Sequence, residues 1–120
     1  MCDDSKINVL VESVNKLGIE TAFSCEGHTS PDYFQSPIPR IVTIPISKIP
    51  TKNLLRLFLA LSYFNNKVVI QEDFWCLIPQ DTQEGCMLVL TPISRHVVSL
   101  ETHQNNISRL ATTCKEIADS

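Results

Sequence analysis

A chain of 120 residues, 43% hydrophobic and 19% charged with only three glycines, can bury somewhat under ~70% of its unfolded surface, so a single packed domain over 1–120 is the expectation. A formal net charge of −3 removes most of the long-range attraction to a phosphate backbone, so extended nucleic acid is not an expected partner. No run approaches the ~20 consecutive apolar residues of a membrane span, and the acidic opening Met1-Cys2-Asp3-Asp4 lacks the basic and apolar regions of a secretion signal, which points to a cytoplasmic protein without a membrane partner.

Asp3, Asp4 and Ser5 can accept hydrogen bonds from first-turn amides, and Ile7, Leu10, Val11, Val14 and Leu17 follow at helix spacings until Gly18, so the first element is an amphipathic helix. Ile19, Thr21 and Phe23 then alternate with Glu20 and Ala22, which suits a short strand leading into Ser24-Cys25-Glu26-Gly27-His28. From Thr29 to Pro39 three prolines and no clear period predict a long loop.

Arg40 to Ile46 is β-branched enough for a strand, with Pro45, which has no amide donor, at its end or on a sheet edge. Pro50-Thr51 opens a second helix that Asn65-Asn66 ends. Leu54, Leu55, Leu57, Phe58, Leu59, Leu61 and Phe64 make it apolar around most of its circumference, so it is buried on two sides or a partner covers one of them; homo-oligomerisation through residues 51–64 is one such arrangement.

Val68 to Ile70 and Phe74 to Ile78 read as one bent strand or two short ones, Gln80 to Gly85 as turn chemistry, and Cys86 to Leu90 as the return strand of a hairpin. Trp75 is expected to pack in the core. From about Ser99 to Ala118, Leu100, Ile107, Leu110, Cys114 and Ile117 form one helical stripe whose gap His103 fills. The order α-β-β-α-β-β-α predicts an α+β fold, a mostly antiparallel sheet with helices packed on one face. Whether the first two strands are neighbours is not readable from the pattern.

The chemistry concentrates in residues 24–28, where a hydroxyl, a thiol, a carboxylate and an imidazole surround the flexible Gly27. Three readings stay open. Cys25 could be a nucleophile with Glu26 or His28 moving protons, although a Cys and His three apart in a loop seldom face each other. Cys25 and His28 could ligate zinc, for which no second ligand pair stands nearby and Cys76, Cys86, His96 and His103 would have to be gathered by the fold. The segment could also be a ligand-recognition turn, in which Ser24, Glu26, His28 and backbone amides read a polar small molecule or a nucleotide and Tyr33 or Phe34 covers it. Against these stand a small buried thiol and a turn held by its own hydrogen bonds.

Five cysteines at irregular spacings (Cys2, Cys25, Cys76, Cys86 and Cys114) suggest free thiols rather than a disulfide framework. Lys48, Lys52 and Arg56 could form a local basic patch, Lys52 and Arg56 being four apart on the second helix, although scattered cations commonly serve solubility.

Residues 7–28, INVLVESVNKLGIETAFSCEGH, resemble the opening of small bacterial and phage proteins in which a helix, a G-I-x-T strand and S-C-x-G-H follow one another; no activity comes with that resemblance. More distantly, the helix, strand and Ser24-Cys25-Glu26-Gly27 resemble the start of the wybutosine-synthesis family of tRNA-modifying methyltransferases, whose signature is serine, cysteine, serine, glycine and arginine. His28 stands at the arginine position and Phe23 at another serine. That resemblance implies a site at Ser24, Cys25 and Gly27 and no reaction.

The expected function is a small non-catalytic binding protein, an accessory or inhibitor of phage or mobile-element type, that recognises a nucleotide-like small molecule or a protein through Ser24, Cys25, Glu26, Gly27, His28, Tyr33 and Phe34, without a cofactor or bound metal. An RNA- or nucleotide-modifying enzyme using Cys25 or His28, and a zinc-binding interaction protein, are the alternatives. An inhibitor that binds proteins further predicts that the helix over 51–64 is partly exposed.

Overall fold

Residues three and four apart turn inward along α1 (Ser5–Lys16), burying Ile7, Leu10 and Val14. Gly18, at φ +90, donates its amide to the Asn15 carbonyl and ends the helix in a conformation that a side chain would strain. The computed structural model describes residues 5–27, 38–67, 74–93 and 99–120. Among them follow β1 (Thr21–Cys25), β2 (Arg40–Thr43), a short 3-10 turn at Ile46–Lys48, α2 (Thr51–Lys67), β3 (Phe74–Thr82), β4 (Gly85–Ile93) and α3 (Leu100–Ala118). The order is the one expected, an α+β fold with an antiparallel sheet.

The four described strands lie in the order β1-β2-β4-β3. β1 and β2, whose relation the sequence left open, are antiparallel neighbours, with Ser24 opposite Ile41 and Cys25 opposite Arg40. β1 starts and ends two residues later than the alternation suggests, so Ser24 and Cys25 belong to the ladder rather than to the turn after it. β2 stops at Thr43, before Pro45 starts the 3-10 turn instead of extending the strand to Ile46. Two buried threonines then extend the β2–β4 contact: Thr43 Oγ1 accepts from the Leu88 amide at 3.1 Å, and Thr91 Oγ1 donates to the Pro39 carbonyl at 3.0 Å.

β3 and β4 form a long hairpin with full register from Phe74↔Ile93 to Thr82↔Gly85 around Gln83-Glu84. The strands run further into the expected turn region than its polar residues suggest, because Thr82 closes the corner, donating to the Gly85 carbonyl at 2.7 Å and accepting from the Glu84 amide. Pro79 costs the sheet little, since β3 is an edge strand.

Register assigns the two faces. Ile41, Leu90 and Leu77 lie in one row across β2, β4 and β3, and with Trp75 they join the core cluster that Leu10, Leu57, Phe64, Ile107 and Leu110 supply from the three helices. Ser99 caps α3 by accepting the Thr102 amide, which places the start of that helix where its periodic stripe begins. His103 is buried, as are Ile107, Leu110, Cys114 and Ile117 of the same stripe.

α2 runs to Lys67, one residue past the asparagine pair expected to end it, because Asn65 is bound from outside the helix. Its side chain donates to the Trp75 carbonyl at 2.9 Å and accepts from the Trp75 amide at 3.0 Å, imitating a strand partner at the start of β3. At the other end Asn53 Nδ2 donates to the Gly18 carbonyl at 3.0 Å, so both ends of α2 are tied down by asparagine amides. Among the described residues no helix is long and apolar enough to cross a membrane.

Candidate functional site

Of the residues singled out in the sequence, Ser24, Cys25, Glu26 and Gly27 are described, whereas His28, Tyr33, Phe34 and His96 lie outside the described residues. Cys25 is fully buried at the end of β1. Solvent-borne reagents and substrates therefore do not meet its thiol without local opening. Ser24 is half-buried in the ladder.

Glu26 and Gly27 make contacts that hold the fold together. α1 has no acidic residue in its first turn, and the Lys6 amide there donates instead to Glu26 Oε1 at 2.9 Å, from a residue twenty positions away. That carboxylate also faces the positive end of the helix dipole. Gln104 of α3 completes the clasp: Nε2 donates to the Glu26 carbonyl at 3.1 Å and the Gly27 carbonyl at 3.3 Å, while Oε1 accepts from Lys6 Nζ at 3.1 Å.

Gly27 is buried at φ +90, where a Cβ would stand 2.6 Å from Leu100 Cδ1 and 3.0 Å from the Ile38 carbonyl carbon and Pro39 nitrogen. Only glycine fits between the start of α3 and the chain entering β2.

Beside this clasp, Lys6, Val9, Glu101, Gln104, Asn105 and Ser108 line an open cleft of about 470 Å³ between α1 and α3. Its size falls within the range of small-molecule sites, but its lining is mostly polar. Among the described residues no three of His, Cys, Asp and Glu gather as a metal site. Cys25, Cys76, Cys86 and Cys114 are free thiols. Burial pushes the Cys114 thiol up to about 12 and raises that of Cys76, so both stay protonated at neutral pH and neither is an activated nucleophile.

The other feature that stood out in the sequence is α2. Its inward side is Leu57, Ala60, Leu61 and Phe64, all buried, with Leu54 packed at the margin. Its outward side presents Leu55, Phe58, Leu59 and Tyr63, which are 61, 49, 45 and 48% exposed. Steps of three, one and four place these four side chains on one helical face. Lys52 is exposed at the head of this stripe and Arg56 is half-buried along it, while Lys48 is exposed in the preceding turn. Tyr63 escaped the sequence reading. Its spacing from Phe58 and Leu59 was the available signal.

Compared with known proteins, the chain matches no family model, no curated protein and no solved structure.

Proposed function

We propose that this chain is a small non-catalytic binding protein that captures a protein partner through the outward face of α2, in the accessory or inhibitory manner expected from its sequence. The observation that carries this reading is the stripe of Leu55, Phe58, Leu59 and Tyr63, four large apolar side chains left about half exposed on one helix. Scattered surface leucines are ordinary, but a contiguous apolar stripe on a soluble chain marks an interaction surface. The ties at Asn53 and Asn65 hold the helix in one orientation, which suits a surface meant to be met by another molecule. The four thiols among the described residues are free, which suits a reducing compartment, and the cytoplasm is the compartment we assign.

A photo-crosslinking amino acid at position 58, installed in the full chain in its producing cells, tests the reading. A discrete adduct from position 58 and none from the exposed Thr112 on α3 is the expected result; equal labelling from both positions sinks it.

A second reading, recognition of a polar or nucleotide-like small molecule, draws its support from the cleft between α1 and α3, whose lining residues Lys6 and Gln104 also grip the Glu26-Gly27 turn. In that reading the turn positions the cleft instead of touching the ligand itself. The enzyme alternative rests on Cys25 or His28, of which Cys25 is buried and His28 lies outside the described residues.

A further inference from the structure

Charge is distributed very unevenly along this acidic chain. Residues 33–71 contain five of the ten basic residues (Arg40, Lys48, Lys52, Arg56 and Lys67) and none of the thirteen acidic ones. α2 lies wholly inside that stretch and has no acidic residue in its first turn, where natural helices commonly place one. Lys52 stands three and seven positions before Leu55 and Leu59, and Arg56 three and seven before Leu59 and Tyr63, so both cations border the apolar stripe. The exposed Lys48 extends the positive side toward the N-terminus of the helix.

From this pairing of stripe and charge, and resting on the protein-capture reading above, we infer that the occupant of α2 is an acidic amphipathic helix of another protein. Its apolar side lies on Leu55, Phe58, Leu59 and Tyr63, and its carboxylates meet Lys48, Lys52 and Arg56. The physical reasons are three. Apolar anchors at steps of three and four match the repeat of a helical ligand laid along α2. The cations supply complementarity that steers and orients an anionic partner, and repel a basic one.

Finally, the four half-exposed side chains offer on the order of 400 Å² of apolar surface, a small patch beside the ~800 Å² that each partner contributes to a standard interface. Two copies pairing through this stripe would bury too little for an obligate dimer, and the α2 cations would meet no carboxylate on the facing helix, which contains no acidic residue. A transient complex with an anionic helix uses both features.

The test uses the full chain and two labelled synthetic 18-residue peptides. They share one leucine and phenylalanine stripe at helical spacing; their remaining positions are rich in glutamate in one and lysine in the other. Fluorescence anisotropy at low salt should give the glutamate peptide at least tenfold tighter binding than the lysine peptide. Lys52→Glu with Arg56→Glu should reverse that order, and Leu55→Ser with Phe58→Ser should weaken the glutamate peptide at least tenfold while leaving the thermal melt within a few degrees.

Equal affinity for both peptides, a preference for the lysine peptide, or binding that ignores both double variants overturns the inference. So does a dimer in sedimentation equilibrium that Leu55→Ser dissolves, which makes a second copy the occupant. Flotation with phosphatidylserine vesicles that depends on Phe58, without peptide binding, makes it a membrane surface. The dimer outcome leaves protein capture by α2 standing; no peptide binding, no dimer and no adduct from position 58 removes that reading as well.

Discussion

Two regions of this chain stand out in its sequence, and the fold turns one inward and the other outward. Residues 24–27 hold a hydroxyl, a thiol, a carboxylate and a glycine in succession, yet the thiol is buried, the carboxylate caps α1 and the glycine fills a space with no room for a Cβ. α2 looks like ordinary core material by composition, yet four of its large apolar side chains face water. Reactive groups in a row are thus compatible with a purely mechanical job. A greasy helix can carry the more informative surface, because accessibility decides what a residue can meet.

The sharpest way to break this comparison lies within α2 itself. Leu57→Ala removes a fully buried side chain and should cost about 3 kcal/mol, whereas Leu55→Ala on the outward face should stay within about 0.5 kcal/mol, both read by urea unfolding. Similar losses at the two positions would mean that the stripe is covered. Gly27→Ala should cost about 2–3 kcal/mol, since the added methyl must displace Leu100 and neighbouring backbone at a positive φ. A neutral result would free the turn from its clasp role.

The buried thiol of α3 gives a pH test of the inward side. Cys114 is raised from 9.0 to about 12 by burial, so below pH 9 it is protonated in both states and contributes no slope. Above pH 9 the unfolded chain loses this proton while the folded chain keeps it, so stability should fall by up to about 1.4 kcal/mol per pH unit until pH approaches 12. Chemical denaturation at pH 8 and 10.5 should differ by about 2 kcal/mol from this group, with Cys76 adding in the same direction, and Cys114→Ala should flatten the slope. Smallest in effect, Glu26→Ala should cost about 1 kcal/mol by uncapping α1. Amide exchange at Lys6 should then quicken, while binding to α2 stays as it was.

Much of the fold was legible because it is written in local periods. Steps of three and four marked α1 and α3, Ser99 marked the start of α3, and the β3–β4 hairpin announced itself through the polar residues between two apolar runs. Trp75 could be placed in the core from its apolar neighbours.

What local periods do not encode is partnership across the chain. The β1–β2 pairing rests on residues about twenty apart, and it carried β1 two residues beyond its alternation so that Cys25 became a ladder position. No pattern near Glu26 indicates that it caps a helix twenty residues earlier, or that Gln104 grips the same turn. Composition showed that α2 is apolar nearly all round, but which side faces water depends on where Gly18 and Trp75 hold it.

Those two tethers turn the helix into a ruler. With Asn53 bound to Gly18 and Asn65 to Trp75, α2 cannot roll about its axis to exchange Leu57 for Phe58 without breaking hydrogen bonds at both ends. Leu55 and Tyr63 are therefore held about 12 Å apart along the axis, at the helical rise of ~1.5 Å per residue. A visitor whose anchors are spaced differently has to deform itself, because this surface will not adjust to it. Selectivity would then come as much from two asparagine amides at the ends of the helix as from the side chains that touch the visitor.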